Sequence, residues 1–336
     1  MDVASVGAWA VWYLARATGL MALAGIAVLL VRGPGRRVAV VRAAWAGLVC
    51  LAAWGWVAFE AIAPTTHAGG GVRCTCCDGA SRASALGGAA YGAAAAGWAG
   101  WLGLGAWARR RLLAGSRPAP GWLRTRLDER GGRGVRLRVS EGLAQPLVTG
   151  ATRPVIVVPT GLESGSTARV EAAIGHELAH VRHGDLAWLA VARGLGLLLA
   201  AHPLYWWLRA VADSGQEALA DAAACEGVDR AAYAEALVAW ARRGRAARVA
   251  GLGMARPGKR LRRRVERVLG GERPAGRAAW RWRWGALAAG LALGGSLAAA
   301  RPEANGSIVE PALVNAAWCA PAVEVFGCST GARRGG

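Results

Sequence analysis

Four long stretches of this chain carry almost no charge, and no other feature narrows the choice of fold as much. Residues 3–31 are interrupted only by Arg16, while 43–59, 85–108 and 284–300 contain no Asp, Glu, Lys or Arg. Apolar helices of about 17–25 residues match the ~30 Å hydrocarbon core of a bilayer. With 54% hydrophobic and only 18% charged residues, the chain lacks the polar surface expected of a soluble protein. The first run is too long for a signal peptide and has no convincing small-residue cleavage site. The third is dominated by Ala and Gly, which suits close helix packing better than contact with lipid. The sequence therefore predicts a mainly α membrane protein with about four transmembrane helices. It divides into a three-span membrane region (1–108), a large non-membrane segment (109–278), a fourth span (279–300) and a short tail (301–336).

A net charge of +20 would suggest nucleic acid as the partner of a soluble protein. Its distribution points to the bilayer instead. Arg32, Arg36, Arg37 and Arg42 crowd between the first two runs, and Arg109, Arg110 and Arg111 follow the third. Arg277, Arg281 and Arg283 precede the fourth, interleaved with Trp280, Trp282 and Trp284 as an interfacial anchor would be. Segments 64–82 and 301–336 hold few arginines. The positive-inside rule then places both termini and 64–82 outside, and the first loop and 109–283 in the cytoplasm. No direct contact with nucleic acid is expected. The cysteines agree with this orientation: Cys74, Cys76, Cys77, Cys319 and Cys328 fall in the two exterior segments, on the oxidising side. They can form disulfides, or the 74–77 cluster can bind metal, with His67 as the one nearby histidine. Cys50 and Cys225 read as buried thiols.

Within the cytoplasmic segment, Val135-Arg136-Leu137-Arg138-Val139 alternates as a half-buried strand does, and the β-branched run 154–159 is closed by prolines. Gly150 between them is a natural turn, so a small sheet is expected. The run 186–208 is long enough to span a bilayer, and 261–269 has helical apolar spacing with a cationic face suited to anionic lipid or to water.

The chemistry resides in His176-Glu177-Leu178-Ala179-His180. Histidines four apart lie one turn apart on one face of a helix and can share a metal ion. Glu177 points roughly 100° round the helix, where it can accept a proton from water activated by the metal. This is the signature of zinc-dependent peptide hydrolysis. A catalytic zinc site takes three protein ligands. His183 shares the helix, and one helix can hardly wrap three ligands round one ion. Glu217 is the better third ligand, with Asp221 four residues on able to hold a histidine ring through its free N–H. If 186–208 crossed the membrane, His176 and Glu217 would lie on opposite sides, so that segment must be interfacial, re-entrant or buried.

Taken together, these blocks resemble the M56 family of membrane metallopeptidases, which includes antirepressor and β-lactam sensor proteases. The similarity rests on Ser140, Pro146, Gly150 and the Pro154-to-Leu162 block, and on the ten residues from His176 to Asp185. It continues through His202-Pro203-Leu204-Tyr205-Trp206-Trp207-Leu208, the pair Glu217 and Asp221, and the basic 261–269 segment. The resemblance implies a gluzincin-like zinc domain in which His176, His180 and Glu217 bind zinc, Glu177 is the general base and Asp221 supports a ligand. It implies a cytoplasmic protein substrate, such as a winged-helix repressor, with self-cleavage as a further activity. Two departures stand out. Ala220 occupies the position before Asp221 where the family carries cysteine, and the tail 301–336 is too short for the family's penicillin-binding sensor domain. An M48-type quality-control protease and a non-catalytic receptor with structural zinc are the competing readings. Tyr205, His183 and His202 are candidate oxyanion donors. After reduction, Cys74 or Cys319 should react with a membrane-impermeant thiol reagent applied to intact cells, and protection from it would overturn the orientation.

Overall fold

A computed structural model describes residues 3–62, 77–162, 166–248, 257–271 and 278–299. Cys74, Cys76, Cys319 and Cys328, for which an exterior location is expected, and His67 lie outside them. Two helices, α1 (Val3–Leu30) and α2 (Pro34–Ile62), open the chain, followed by α3 (Cys77–Ala114). Next come β1 (Arg117–Pro118), α4 (Gly121–Glu129), β2 (Arg136–Ser140), β3 (Leu147–Thr149) and β4 (Val155–Pro159). The remaining helices are α5 (Thr167–Arg182), α6 (Asp185–Leu199), α7 (Pro203–Ala224), α8 (Arg230–Arg248), α9 (Pro257–Leu269) and α10 (Ala278–Ala299).

Among the described residues, two stretches are long and apolar enough to cross a membrane, Trp12–Leu30 and Pro34–Trp54. The apolar part of α10, Gly285–Ala299, is shorter. The basic stretch expected as a loop between the first two spans is mostly helix. Only a short turn at Gly33 (φ +90°) separates α1 from α2. Pro34 then opens α2, where a missing N–H costs nothing. Arg36, Arg37 and Arg42 thus belong to α2, and Arg42 is buried.

Both anticipated strands form, and they pair with each other in parallel, Arg136 opposite Val155 through Ser140 opposite Pro159. Two short strands complete a sheet of order β1-β2-β4-β3. β3 runs antiparallel to β4, and Gly150, at φ +93°, makes the reversal between them. A side chain there would require a strained left-handed conformation. β4 is buried along its whole length, which explains its unbroken apolar composition.

The apolar run 186–208 is two helices rather than one. Residues 200–202 break it, and Pro203 starts α7. The resulting α6–α7 hairpin packs on α1 and α2 in one apolar core containing Leu20, Met21, Trp45, Leu48, Leu195 and Leu208. A second core joins the sheet to α5, α8 and α9 through Leu137, Ile156, Ile174, Tyr233, Leu237 and Val268. α7 takes part in both: Leu208 and Ala212 lie in the first and Ala224 in the second.

α10 approaches α2 backbone to backbone. A Cβ on Gly47 would stand 2.7 Å from the Gly290 carbonyl oxygen, and Cβ atoms on Gly290 and Gly294 would collide with the Ala43 and Gly47 carbonyls. Small residues four apart on each helix are what close packing in lipid requires. Replacing Gly290 with leucine should therefore cost about 1–3 kcal/mol, as overpacking does. Gly285→Leu, where an added Cβ meets nothing within 4 Å, should change little. Thermal unfolding of both variants in detergent checks the difference.

Candidate metal centre

α5 carries His176 and His180 one turn apart, and their Nε2 atoms stand 3.3 Å from each other. Glu217 arrives from α7, with Oε2 3.7 Å from His176 Nε2 and Oε1 3.9 Å from His180 Nε2. Zinc bonds near 2.0–2.1 Å in a tetrahedron put ligand atoms roughly 3.3 Å apart. The three groups are therefore close to coordination spacing, and among the described residues they form the group that could hold a metal ion. The approach of α7 depends on Gly175, immediately before His176. A Cβ there would lie 3.3 Å from Ala224 Cα and 2.8 Å from Arg130 Nη1.

Each imidazole is oriented through its other nitrogen. His180 Nδ1 is 2.7 Å from Asp185 Oδ2, which accepts its proton. Gly184, in the left-handed region at φ +67°, ends α5 and turns the chain so that Asp185 can reach back. His176 Nδ1 lies 3.0 Å from the Tyr233 hydroxyl, which donates to Asp221 Oδ1 at 2.7 Å. With its own proton given to Asp221, the Tyr233 oxygen accepts from Nδ1–H of His176. Asp221 itself is 3.4 Å from that nitrogen. Both rings are thereby held with the Nε2 lone pair turned into the space they share with Glu217, the tautomer a metal ligand needs.

Arg264 on α9 ties the two acids of α7 together. Its Nη1 is 2.8 Å from Glu217 Oε2, its Nη2 is 2.6 Å from Asp221 Oδ1, and its Nε donates to Asp221 Oδ2 at 3.1 Å. Burial pushes the Asp221 carboxyl up, but hydrogen bonds on the His176 and Arg264 sides and the Arg264 charge outweigh it. The group is held well below the usual carboxylate range. Glu177, 7% exposed, moves the other way. Burial raises it against the opposing pull of His176 and His180, and Glu217 adds to the rise. For His180, burial is the largest influence and lowers it. The Asp185 hydrogen bond and the charges of Glu177, Glu217 and Asp185 together raise it overall.

The five residues singled out in the sequence, His176, Glu177, His180, Glu217 and Asp221, lie in this one neighbourhood. Tyr233, Arg264 and Asp185 complete it, and spacing gave no sign of them. Of the oxyanion candidates, two have side chains engaged elsewhere: His202 Nε2 is 2.9 Å from Thr18 Oγ1 on α1, and Tyr205 donates to the Ala192 carbonyl at 2.6 Å. The backbone of His183 caps the C-terminus of α5.

A family model described as BlaR1 peptidase M56 matches residues 117–268, the segment from β1 to the last turn of α9. No curated protein matches the chain.

Removing Arg264 would leave two carboxylates facing each other without a cation. Breaking a fully buried pair costs about 3–5 kcal/mol. Because the Arg264 side chain is 23% exposed, Arg264→Met should lose on the order of 2 kcal/mol. The fall should be visible as a lower unfolding temperature in protein stripped of metal.

Proposed function

Because the chain belongs to the M56 peptidase family over residues 117–268, we propose that it is a membrane-bound zinc endopeptidase acting on a cytoplasmic protein. The observation that carries this reading is the pair of Nε2 atoms 3.3 Å apart. The partner of each Nδ1 holds the ring proton there and leaves the Nε2 lone pair free for a metal, and Glu217 stands beside both. Two lone pairs and a carboxylate repel one another, and a cation between them relieves that repulsion. Imidazole nitrogen and carboxylate oxygen are donors that suit zinc.

His176, His180 and Glu217 would hold the metal, which when bound polarises the scissile carbonyl and lowers the pKa of water. Glu177 adjoins the first ligand and is raised by burial, which brings a carboxylate closer to the range a general base needs. It takes the proton from the attacking water and passes it to the leaving amine. Arg264 fixes one oxygen of Glu217 through its Nη1. β3 lies at the edge of the sheet and contacts α5. A strand in that position can align an extended peptide by main-chain hydrogen bonds.

The substrate we favour is a winged-helix repressor whose cleavage switches a gene, with self-cleavage as a second activity. The charge asymmetry supports a cytoplasmic location, since the arginine-rich segments flank this domain. The decisive experiment pairs Glu177→Ala with His176→Ala in the full-length protein. Glu177→Ala should keep its zinc and lose about 10²–10⁴-fold in cleavage of a co-expressed repressor. His176→Ala should lose both zinc and cleavage. Undiminished cleavage by Glu177→Ala would sink the enzymatic reading and favour a receptor with structural zinc.

A further inference from the structure

Arg42 is a charged residue of α2 within a stretch apolar enough to cross a membrane, yet its side chain is only 6% exposed. Its guanidinium forms a close ion pair with Asp185 Oδ1 and donates through Nη1 to the His183 carbonyl at 2.9 Å. The Trp188 ring lies 5.7 Å from its centre. Asp185 divides its two oxygens, Oδ1 to Arg42 and Oδ2 to Nδ1 of His180. A continuous chain of charge-assisted contacts therefore runs from α2 to one nitrogen of the histidine pair. The second contact, to the last carbonyl region of α5, pins the helix end on which His180 sits. α2 also meets the helix that bears Glu217. A Cβ on Gly215 would press against Val38 and stand 3.2 Å from the Pro34 carbonyl.

We propose that Arg42 is a positioning residue for the metal centre. Through Asp185 it fixes the tautomer and the direction of His180, so that α2 sets how well the cluster holds its ion. The proposal rests on the reading of His176, His180 and Glu217 as zinc ligands. Partners that hold a ligating imidazole by its second nitrogen typically carry 10–100-fold in metal affinity. Arginine suits the role because its planar fork reaches a carboxylate and a carbonyl at once, which a lysine ammonium cannot do in the same geometry.

The test measures zinc affinity by chelator competition, and the visible spectrum of the cobalt-substituted full-length protein in detergent. Arg42→Met and Asp185→Asn should each weaken zinc by about 10–100-fold. The double variant should bind no more weakly than Asp185→Asn alone, because both act through one contact. The exposed Arg37→Met on the same helix should bind as wild type. Arg42→Lys retains the charge and serves if Arg42→Met does not fold; it should lose affinity severalfold and shift the cobalt spectrum. A lower melting temperature with unchanged zinc affinity and cobalt spectrum would reduce Arg42 to a structural residue and overturn the proposal. So would additive losses in the double variant. If the wild-type protein binds no zinc, or Glu217→Ala binds as tightly, the reading of the centre itself falls, and this proposal with it.

Discussion

Everything at the centre depends on what happens at the far nitrogens of two imidazoles. A histidine has two ring nitrogens, either of which can carry the proton or bind a metal, and helical spacing alone does not choose between them. Asp185 makes the choice for His180, and the Tyr233 hydroxyl, backed by Asp221, makes it for His176. Arg264 then keeps Asp221 charged and draws Glu217 into the same arrangement. Remove these partners and the pentapeptide remains, but its rings are free to turn or change tautomer.

The second organising element is α7. Its first turns are buried against α1 and α2, and its last turn is buried against α5. Glu217 lies between these anchorages. The acid is thus set where the apolar helical layer meets the sheet-bearing layer, on a helix that neither layer holds alone. A methyl group at Gly215 would press α7 away from α2, and one at Gly175 would press α5 away from α7. Flanking Gly215 are contacts to α2, and beside Gly175 lie contacts between α5 and α7.

Local chemistry was legible in the sequence and distant chemistry was not. His176, His180 and Glu217 could be named because a helix converts spacing of four into a shared face, and the acid follows at a helix-return distance. β2 and β4 were legible because alternation and β-branching are local signals, whereas β1 and β3 are too short to show a period. Tyr233 is 57 residues from His176, and Arg264 is 43 from Asp221. No periodicity links such pairs. Arg42 misled for a different reason. An arginine in a basic cluster before an apolar run is ordinarily a marker of orientation, and only the fold, 143 residues on, supplies Asp185 as its partner. The single apolar run 186–208 concealed a turn, because Pro203 at the first position of a helix looks the same as a proline within one.

The ion pair between Arg42 and Asp185 bears on modularity. Among the described residues, the stretch that matches the peptidase family, 117–268, contains the side chains that face the histidine pair, Asp185, Glu217, Asp221, Tyr233 and Arg264. Asp185, though, is neutralised by a helix that precedes that stretch, and the same helix covers Gly215. A soluble fragment cut at those bounds would keep the inner residues while leaving one buried carboxylate without its counter-charge and one helix face bare. In this chain α2 is part of the architecture around the histidine pair and not merely a neighbour of it.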